Sequence, residues 1–464
     1  MSQDQAQDQP MNAQGRRIDV ARLLNDRKLN DFNYKLIVLS WLITAFDGFD
    51  QMMISFTAPY MRDEFHLTNG QLGYIVSAGI AGMLVGGFLF AWIADRIGRR
   101  PTIIATAFAF GVLTFATAFA HNVPQLLALR FVDGLAIGGM LPLAWALNIE
   151  FVPAHVRATV VTTIMMGYSV GTSSAGPLTN LLAPTHGWQA VFMVGGVGTI
   201  VCAVALLFFL PESVRFLVSR QFKLPLAVRT LKRVDPRFDV SQGDTLYLGD
   251  EPIIQKKFHV ADLFAGKLRW LTPLLWLGYA VSSLGIYFSS SWGPLILEFL
   301  DVNRQTAALV SSFSGLLGAA AGLALMRFTD RYGPIAVAVF PLISVPILLI
   351  LGFELVDRSY LLPMVVLATL VVAGGHFGIQ SICGVFYPSA IRASGAGWAS
   401  SIAKVGGVLG PIVGATVLSS GLPIIRSYAV LAICPAILAL TALAIARVTR
   451  DPSFRPAVRP TPAE

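Results

Sequence analysis

The sequence predicts an all-α membrane protein: twelve transmembrane helices in two pseudo-symmetric six-helix bundles. Three observations predict it. Of 464 residues, 55% are hydrophobic and 13% charged, with a mean hydropathy of +0.66, whereas soluble domains are about 25% charged. The apolar residues come in about twelve blocks, each near the ~20 residues that carry a helix across a ~30 Å hydrocarbon layer, without the alternation of a β-barrel. Finally, the second half repeats the first at one constant offset: Asp95, Arg96 and Gly98 map onto Asp330, Arg331 and Gly333, Pro153, Arg157 and Ala158 onto Pro388, Arg392 and Ala393, and Pro59 onto Pro294.

In chain order, residues 1–32 form a polar N-terminal tail with Arg16, Arg17, Arg22, Arg27 and Lys28. It lacks the short apolar core and cleavage site of a signal peptide, so the first span is expected to stay in the membrane. The first six spans, roughly 33–58, 70–94, 101–120, 124–148, 158–182 and 188–210, make the N-terminal bundle, 33–210. Residues 211–270 form a charged central loop with little sustained apolar pattern. The next six spans, roughly 271–298, 305–328, 334–354, 360–383, 394–418 and 424–447, make the C-terminal bundle, 271–447, followed by a tail, 448–464. With six spans per half, the repeats run in the same direction, related by an axis along the membrane normal.

The net charge of +8 invites a nucleic-acid reading, but its placement opposes one. With both termini cytoplasmic, only Arg62, Arg304, Arg358 and Arg426 fall in outward segments, and Arg130 and Lys404 fall within spans. The remaining cations face inward, which is a topology signal. Cys202, Cys383 and Cys434 lie in different apolar blocks without metal or disulfide spacing, as small buried hydrophobes do. "GYSVG", 167–171, fits G-x-S-x-G but sits inside an apolar helix, where small residues serve close packing rather than a nucleophile elbow. There is no H-E-x-x-H, Walker A or paired-Cys motif, so neither a metal nor ATP is expected and no cofactor is assigned.

The exceptional stretch is "AFDGFDQMMISFTAP", 45–59. An ionised Asp at mid-membrane costs roughly 2.5–3.5 kcal/mol on insertion scales, and intramembrane ionisable groups are functional candidates. At i and i+3, Asp47 and Asp50 share a helix face. Counted from the outer ends of their spans at 1.5 Å per residue, Asp50 and Arg130 lie at similar depths, about 12 and 9 Å. A carboxylate pair facing a buried arginine is subject to opposed pulls, which suits a proton carrier; the alternative is a static ion pair between two helices. Lys404 lies near the midplane in the Gly-rich "SSIAKVGGVLGPIVGA". It is a candidate for an anionic ligand, unless it snorkels or pairs with an Asp of the first span. Aromatics at suitable depth include Trp145, Tyr287, Trp292, Trp398 and His376, the last equally readable as a satisfied core histidine.

Taken together, "ADRIGRRP" after the second span, its echo "TDRYGP", "LRFVDGLAIGG" in the fourth span and "LPESVRFLVSR" after the sixth resemble the major facilitator superfamily. "DGFD" with Arg130 and Glu150 is similar to its aromatic acid:proton symporter branch. The resemblance implies a bacterial inner-membrane monomer that imports aromatic carboxylates such as hydroxybenzoates with protons, by alternating access. Its partners are then the substrate, protons and the bilayer, its energy source is the proton gradient, and it is not an enzyme. Another organic acid or a sugar as cargo, or export, are the alternatives. The resemblance further implies that Asp47, Asp50 and Arg130 couple protons, and that Lys404, Tyr287, Trp292, His376, Trp398 and Trp145 are candidates for substrate contact. Asp95, Gly98, Arg99, Glu150 and Arg157, echoed by Asp330, Arg331 and Arg392, would form a conformational latch at the cytoplasmic ends. The branch often has Arg where this chain has Lys404, which lacks the planar two-pronged fit to a carboxylate.

Overall fold

The computed structural model describes residues 16–219, 224–241, 243–249, 259–266, 268–332, 334–382, 386–387 and 391–449, without the side chains of 158, 323, 326–328, 330, 331, 392 and 393. Cys383 and the side chains of Asp330, Arg331 and Arg392 thus lie outside the described residues.

The membrane helices of the first half are α2 (Asp31–Phe65), α3 (Asn69–Ile97), α4 (Arg99–Thr117), α5 (Val123–Glu150) and α6 (Arg157–Phe209), preceded by a short α1 (Val20–Asn25). The ends are written in local chemistry. Asn30 and Asn33 form a reciprocal capping box at the start of α2, Thr68 and Gln71 another at α3, and Asn122 caps α5 ahead of Pro124; each satisfies amides that the first turn leaves without carbonyl partners. α6, 53 residues long, breaks at Gly187, whose φ of 77° a side chain would resist. It therefore supplies the fifth and sixth spans. α7 (Val214–Ser219) and α8 (Leu224–Val234) follow.

The second half consists of α9 (Leu268–Phe299), α10 (Arg304–Tyr332), α11 (Pro334–Gly352), α12 (Leu361–Ile382), α13 (Arg392–Leu418), and α14 (Arg426–Leu431) with α15 (Ile433–Val448), which together make the last span. Among the described residues ten helices are long and apolar enough to cross a membrane; the break in α6 adds a span, and α10, 29 residues long, completes twelve. The packing repeats between halves: α2 on α6 and α3 on α5 in the first, α9 on α13 and α10 on α12 in the second.

Two features depart from the sequence expectation. α2 does not stop near Pro59 but runs on to Phe65, because its polar last turn finds partners: Asp63 meets Arg304 at 3.0 Å, and Glu64 accepts the Trp188 indole N–H at 2.7 Å. The tail and central loop are also less bare than their charge suggests. Strand β1 (Arg17–Asp19) pairs in parallel with β2 (Thr245–Tyr247). Val20 and Leu24 of α1, Leu217 of α7 and Ala227, Val228, Leu231 and Val234 of α8 join a buried cluster with Ile103 and Phe151 of the first half. The apolar stripe of α8 spans only three turns, and Arg229, Lys232 and Arg233 between its members hide it in a composition reading.

The halves meet unevenly. The largest buried apolar cluster crosses between them where α2 ends and α3 begins, joining Met53, Phe56 and Met61 to Phe288, Trp292, Ala307, Ala308 and Ala415. Polar contacts close the same end. Arg304 pairs with Asp63 and Glu298, Arg62 approaches Glu298 at 3.6 Å, Ser77 donates to Val408 O at 2.8 Å, and Asn180 donates to Gln305 O at 2.9 Å. At the opposite end Arg99 and Glu150 pair within the first half and bond to Ser213 at the start of the central loop, while Trp276 and Trp398 stack within the second.

Candidate functional site

Two close helix pairs carry the charges inward. α2 lies against α6 with Gly48 on the Tyr168 carbonyl and Gly171 on the Ala45 carbonyl. α3 lies against α5 through Gly82, Gly86, Gly134 and Gly138, where any Cβ would strike the facing backbone. Such small-residue seams bring backbones together where apolar lipid gives helices no solvent drive to associate. They also force the larger side chains of α2 and α5 toward each other.

There Arg130 binds two carboxylates. Its Nη1 lies 3.0 Å from Asp50 Oδ2 and its Nη2 3.3 Å from Asp50 Oδ1, while Nη2 also lies 2.7 Å from Asp133 Oδ2. Thr114 of α4 donates to Asp50 Oδ1 at 3.0 Å and touches Asp133 Oδ1 at 3.5 Å. The Phe192 ring sits 5.3 Å from the guanidinium carbon. Asp50, Arg130 and Asp133 are all at most 4% exposed. Buried ions persist only when paired and hydrogen-bonded; Asp50 meets that condition through Arg130 and Thr114, whereas Asp133 Oδ2 has the guanidinium as a near charge without a hydrogen bond, so one cation serves two acids.

Asp47 stands apart. The sequence expectation set it beside Asp50 before Arg130, but it is fully buried and neither carboxylate oxygen has a hydrogen-bond partner. Three residues of helix rotate it about 60° from Asp50, enough to turn it away from α5. The cation whose field reaches it is Lys404. Lys404 crosses from the second half: its Nζ lies 3.5 Å from where a Cβ would stand on Gly87 of α3. Next to this pair runs a polar chain. Tyr168 donates to Gln51 Oε1, and Gln51 Nε2 donates to Tyr287 OH at 3.3 Å, linking α6, α2 and α9 across the halves. A cavity of about 30 Å³ lined by Asp50, Gln51, Arg130, Asp133, Tyr287 and Ser291 runs from the Arg130 cluster to the Gln51–Tyr287 contact; that volume holds a water, not an aromatic ring.

The other sequence candidates lie elsewhere. Trp292 is 2% exposed and donates to Pro411 O at 3.0 Å, sealing α9 to α13. His376 shares a hydrogen bond with Ser282 at 3.0 Å and packs on Tyr279 inside the second half. Trp398 stacks on Trp276, and Trp145 packs with Val152, Val160 and Ile164. The structure therefore does not bring these four to the central cavity. Conversely, the sequence reading missed Asp133, Gln51, Thr114 and the bonded role of Tyr168. Asp133 left a signal: a third acid inside a span, three residues after Arg130 and so on its face.

The loop between α3 and α4 is held by residues beyond those expected. Gly98 takes φ 113° and a side chain there would collide with the Glu212 carboxylate. Glu212 Oε1 accepts from the amides of Arg99 at 2.9 Å and Arg100 at 3.1 Å, capping α4, and from Ser213 N at 2.8 Å. Arg99 pairs with Glu150 at 2.6 Å, and Glu150 accepts from Ser213 at 2.5 Å. Arg157 instead donates to Val152 O at 3.3 Å, and Asp95 is exposed.

Residues 40–238 match the Major Facilitator Superfamily model. The chain is 31% identical to the 4-hydroxybenzoate transporter PcaK of Pseudomonas aeruginosa, over 87% of this chain and 90% of that protein. It is 30% identical to a gallate transporter of Pseudomonas putida, over 94% and 97%. Among solved structures, an inward-facing, unoccupied bacterial homologue of the human lysosomal transporter Spinster superposes with a TM-score of 0.69 at 17% identity, over 92% of this chain and 98% of that one. With twelve helices in two like halves and relatives of this extent, the chain is a multi-pass transporter of the major facilitator superfamily and belongs to its aromatic acid branch.

Proposed function

We propose that the protein imports aromatic carboxylic acids of the hydroxybenzoate class together with protons, by alternating access across a bacterial inner membrane with both termini cytoplasmic. The observation that carries this reading is Asp47: a carboxylate buried without a hydrogen-bond partner, opposite a lysine from the other half. Such a pair is neutral when both are ionised. When an anionic substrate takes Lys404, the carboxylate is left uncompensated in low dielectric and takes a proton. Substrate and proton thus bind together. Tyr168, Gln51 and Tyr287 supply the few polar handles and ring faces that an aromatic acid needs. The relatives named for 4-hydroxybenzoate and gallate support the substrate class.

The closed end, with Arg304, Asp63 and Glu298, is then the periplasmic one. The substrate site must widen beyond the present cavity as the halves rock.

The test is uptake of labelled benzoate, 4-hydroxybenzoate, protocatechuate and gallate into cells or proteoliposomes. Accumulation of at least one, driven by an inward proton gradient and abolished by an uncoupler, is expected. Uncoupler-insensitive uptake, or transport of sugars instead, would overturn the reading.

A further inference from the structure

The chain buries an acid that the coupling scheme above does not use. Asp133 of α5 is 1% exposed and shares Arg130 with Asp50. The groups facing this cluster are Asp50 from α2, Thr114 from α4, Arg130 from α5 itself and the Phe192 ring from α6, while Asp47, one turn back on α2 and turned away, reaches Asp133 only through its charge. Lys404 of α13 bears on Asp47 rather than on the cluster. Two carboxylates thus bracket one guanidinium, and one hydroxyl touches both.

We propose that Asp133 is the standing counter-ion that lets Asp50 accept a proton: Arg130 is handed from Asp50 to Asp133 when Asp50 is protonated and returned when the proton leaves. With Asp50 as sole partner, protonation would strand a buried guanidinium, a change that buried ion pairs resist strongly. With Asp133 in place, Arg130 keeps a carboxylate in either state. The chemistry balances simply. An O–H bond forms on Asp50 as its two Arg130 N–H···O contacts are released, and Arg130 Nη2, already 2.7 Å from Asp133 Oδ2, needs to turn rather than travel. The proton enters through the cavity that Asp50, Arg130 and Asp133 line together, and the Thr114 hydroxyl can swing its hydrogen bond from Asp50 to Asp133. Asp133 is therefore a positioning residue, acting on proton uptake through Arg130.

This inference rests on the proton-coupled reading, and the experiment separates the two. Initial uptake of 4-hydroxybenzoate into proteoliposomes is measured as a function of external pH for the wild type, Asp133→Asn and Asp133→Glu. With Asp133→Asn, Asp50 is locked on Arg130, and the proton concentration for half-maximal transport rises about tenfold or more, as for an Asp beside a dedicated arginine. Asp133→Glu restores most of the shift. A wild type insensitive to uncoupler overturns the proposed function itself, whereas an uncoupler-sensitive wild type with an unshifted Asp133→Asn profile overturns only the hand-over. A second comparison does not depend on Asp133→Asn being stable. Asp50→Asn leaves Arg130 with Asp133 and is expected to melt near the wild type, while Asp50→Asn/Asp133→Asn melts far lower. Equal losses in the single and double variants contradict the proposal.

Discussion

Asp47 and Lys404 come from different halves and feel each other's charge, yet among the described residues neither has an ion-pair partner. A lysine left in this way is a point charge on a flexible stem, suited to meet a carboxylate that arrives and leaves. Lys404→Ala is accordingly expected to raise the apparent KM for 4-hydroxybenzoate about tenfold to a hundredfold, the scale of one charge-assisted hydrogen bond, with less effect on the maximal rate; substrate-concentration series at fixed pH check it. Much of this was legible from the chain. A charge inside an apolar run is conspicuous, and depth counting along α2 and α5 was enough to align Asp50 with Arg130. What one-dimensional spacing could not resolve was azimuth. Asp47 and Asp50 share a helix face only loosely, and the 60° between them decides that one meets Arg130 and the other does not. Gln51 was hidden for a different reason: a neutral polar residue costs little in a span, so nothing in the sequence marks the one that crosses between halves.

Among the elements, α4 shows how a remote segment can set a helix end. Its first turn has no side-chain cap of its own, and Glu212, more than a hundred residues downstream, accepts its amides instead. A carboxylate at a helix N-terminus also complements the helix dipole. Glu212→Ala should therefore destabilise the first half by about 1–2 kcal/mol, in the range of lost N-caps and charge-assisted hydrogen bonds, visible as a lower melting temperature in detergent while substrate affinity changes little. The boundaries of α3 and α5 were close to expectation because apolar length and capping residues agree there. α2 outran its expected end because its last turn is stabilised by Arg304 and Trp188, partners that only the tertiary fold supplies. α8 was missed because an eleven-residue stripe interleaved with basic residues reads as a solvated loop until something covers it.

For the molecule as a whole, the repeat in sequence becomes a repeat in packing, and the uneven meeting of the halves follows from what lies between them. At one end a continuous apolar cluster and the Arg304–Asp63–Glu298 group bind the halves together. At the other, the loop around Gly98 and the Trp276–Trp398 stack hold each half to itself. Between the two ends lie Asp47, Lys404 and the Tyr168–Gln51–Tyr287 chain, where substrate and proton are proposed to exchange charge. The most direct test of that exchange is made on purified protein in weakly buffered solution at neutral pH, recording pH as 4-hydroxybenzoate is added. The account predicts that the protein takes up protons in step with substrate saturation, and that Asp47→Asn binds with clearly diminished uptake. Saturable binding with no proton uptake by the wild type, or undiminished uptake by Asp47→Asn, would contradict it.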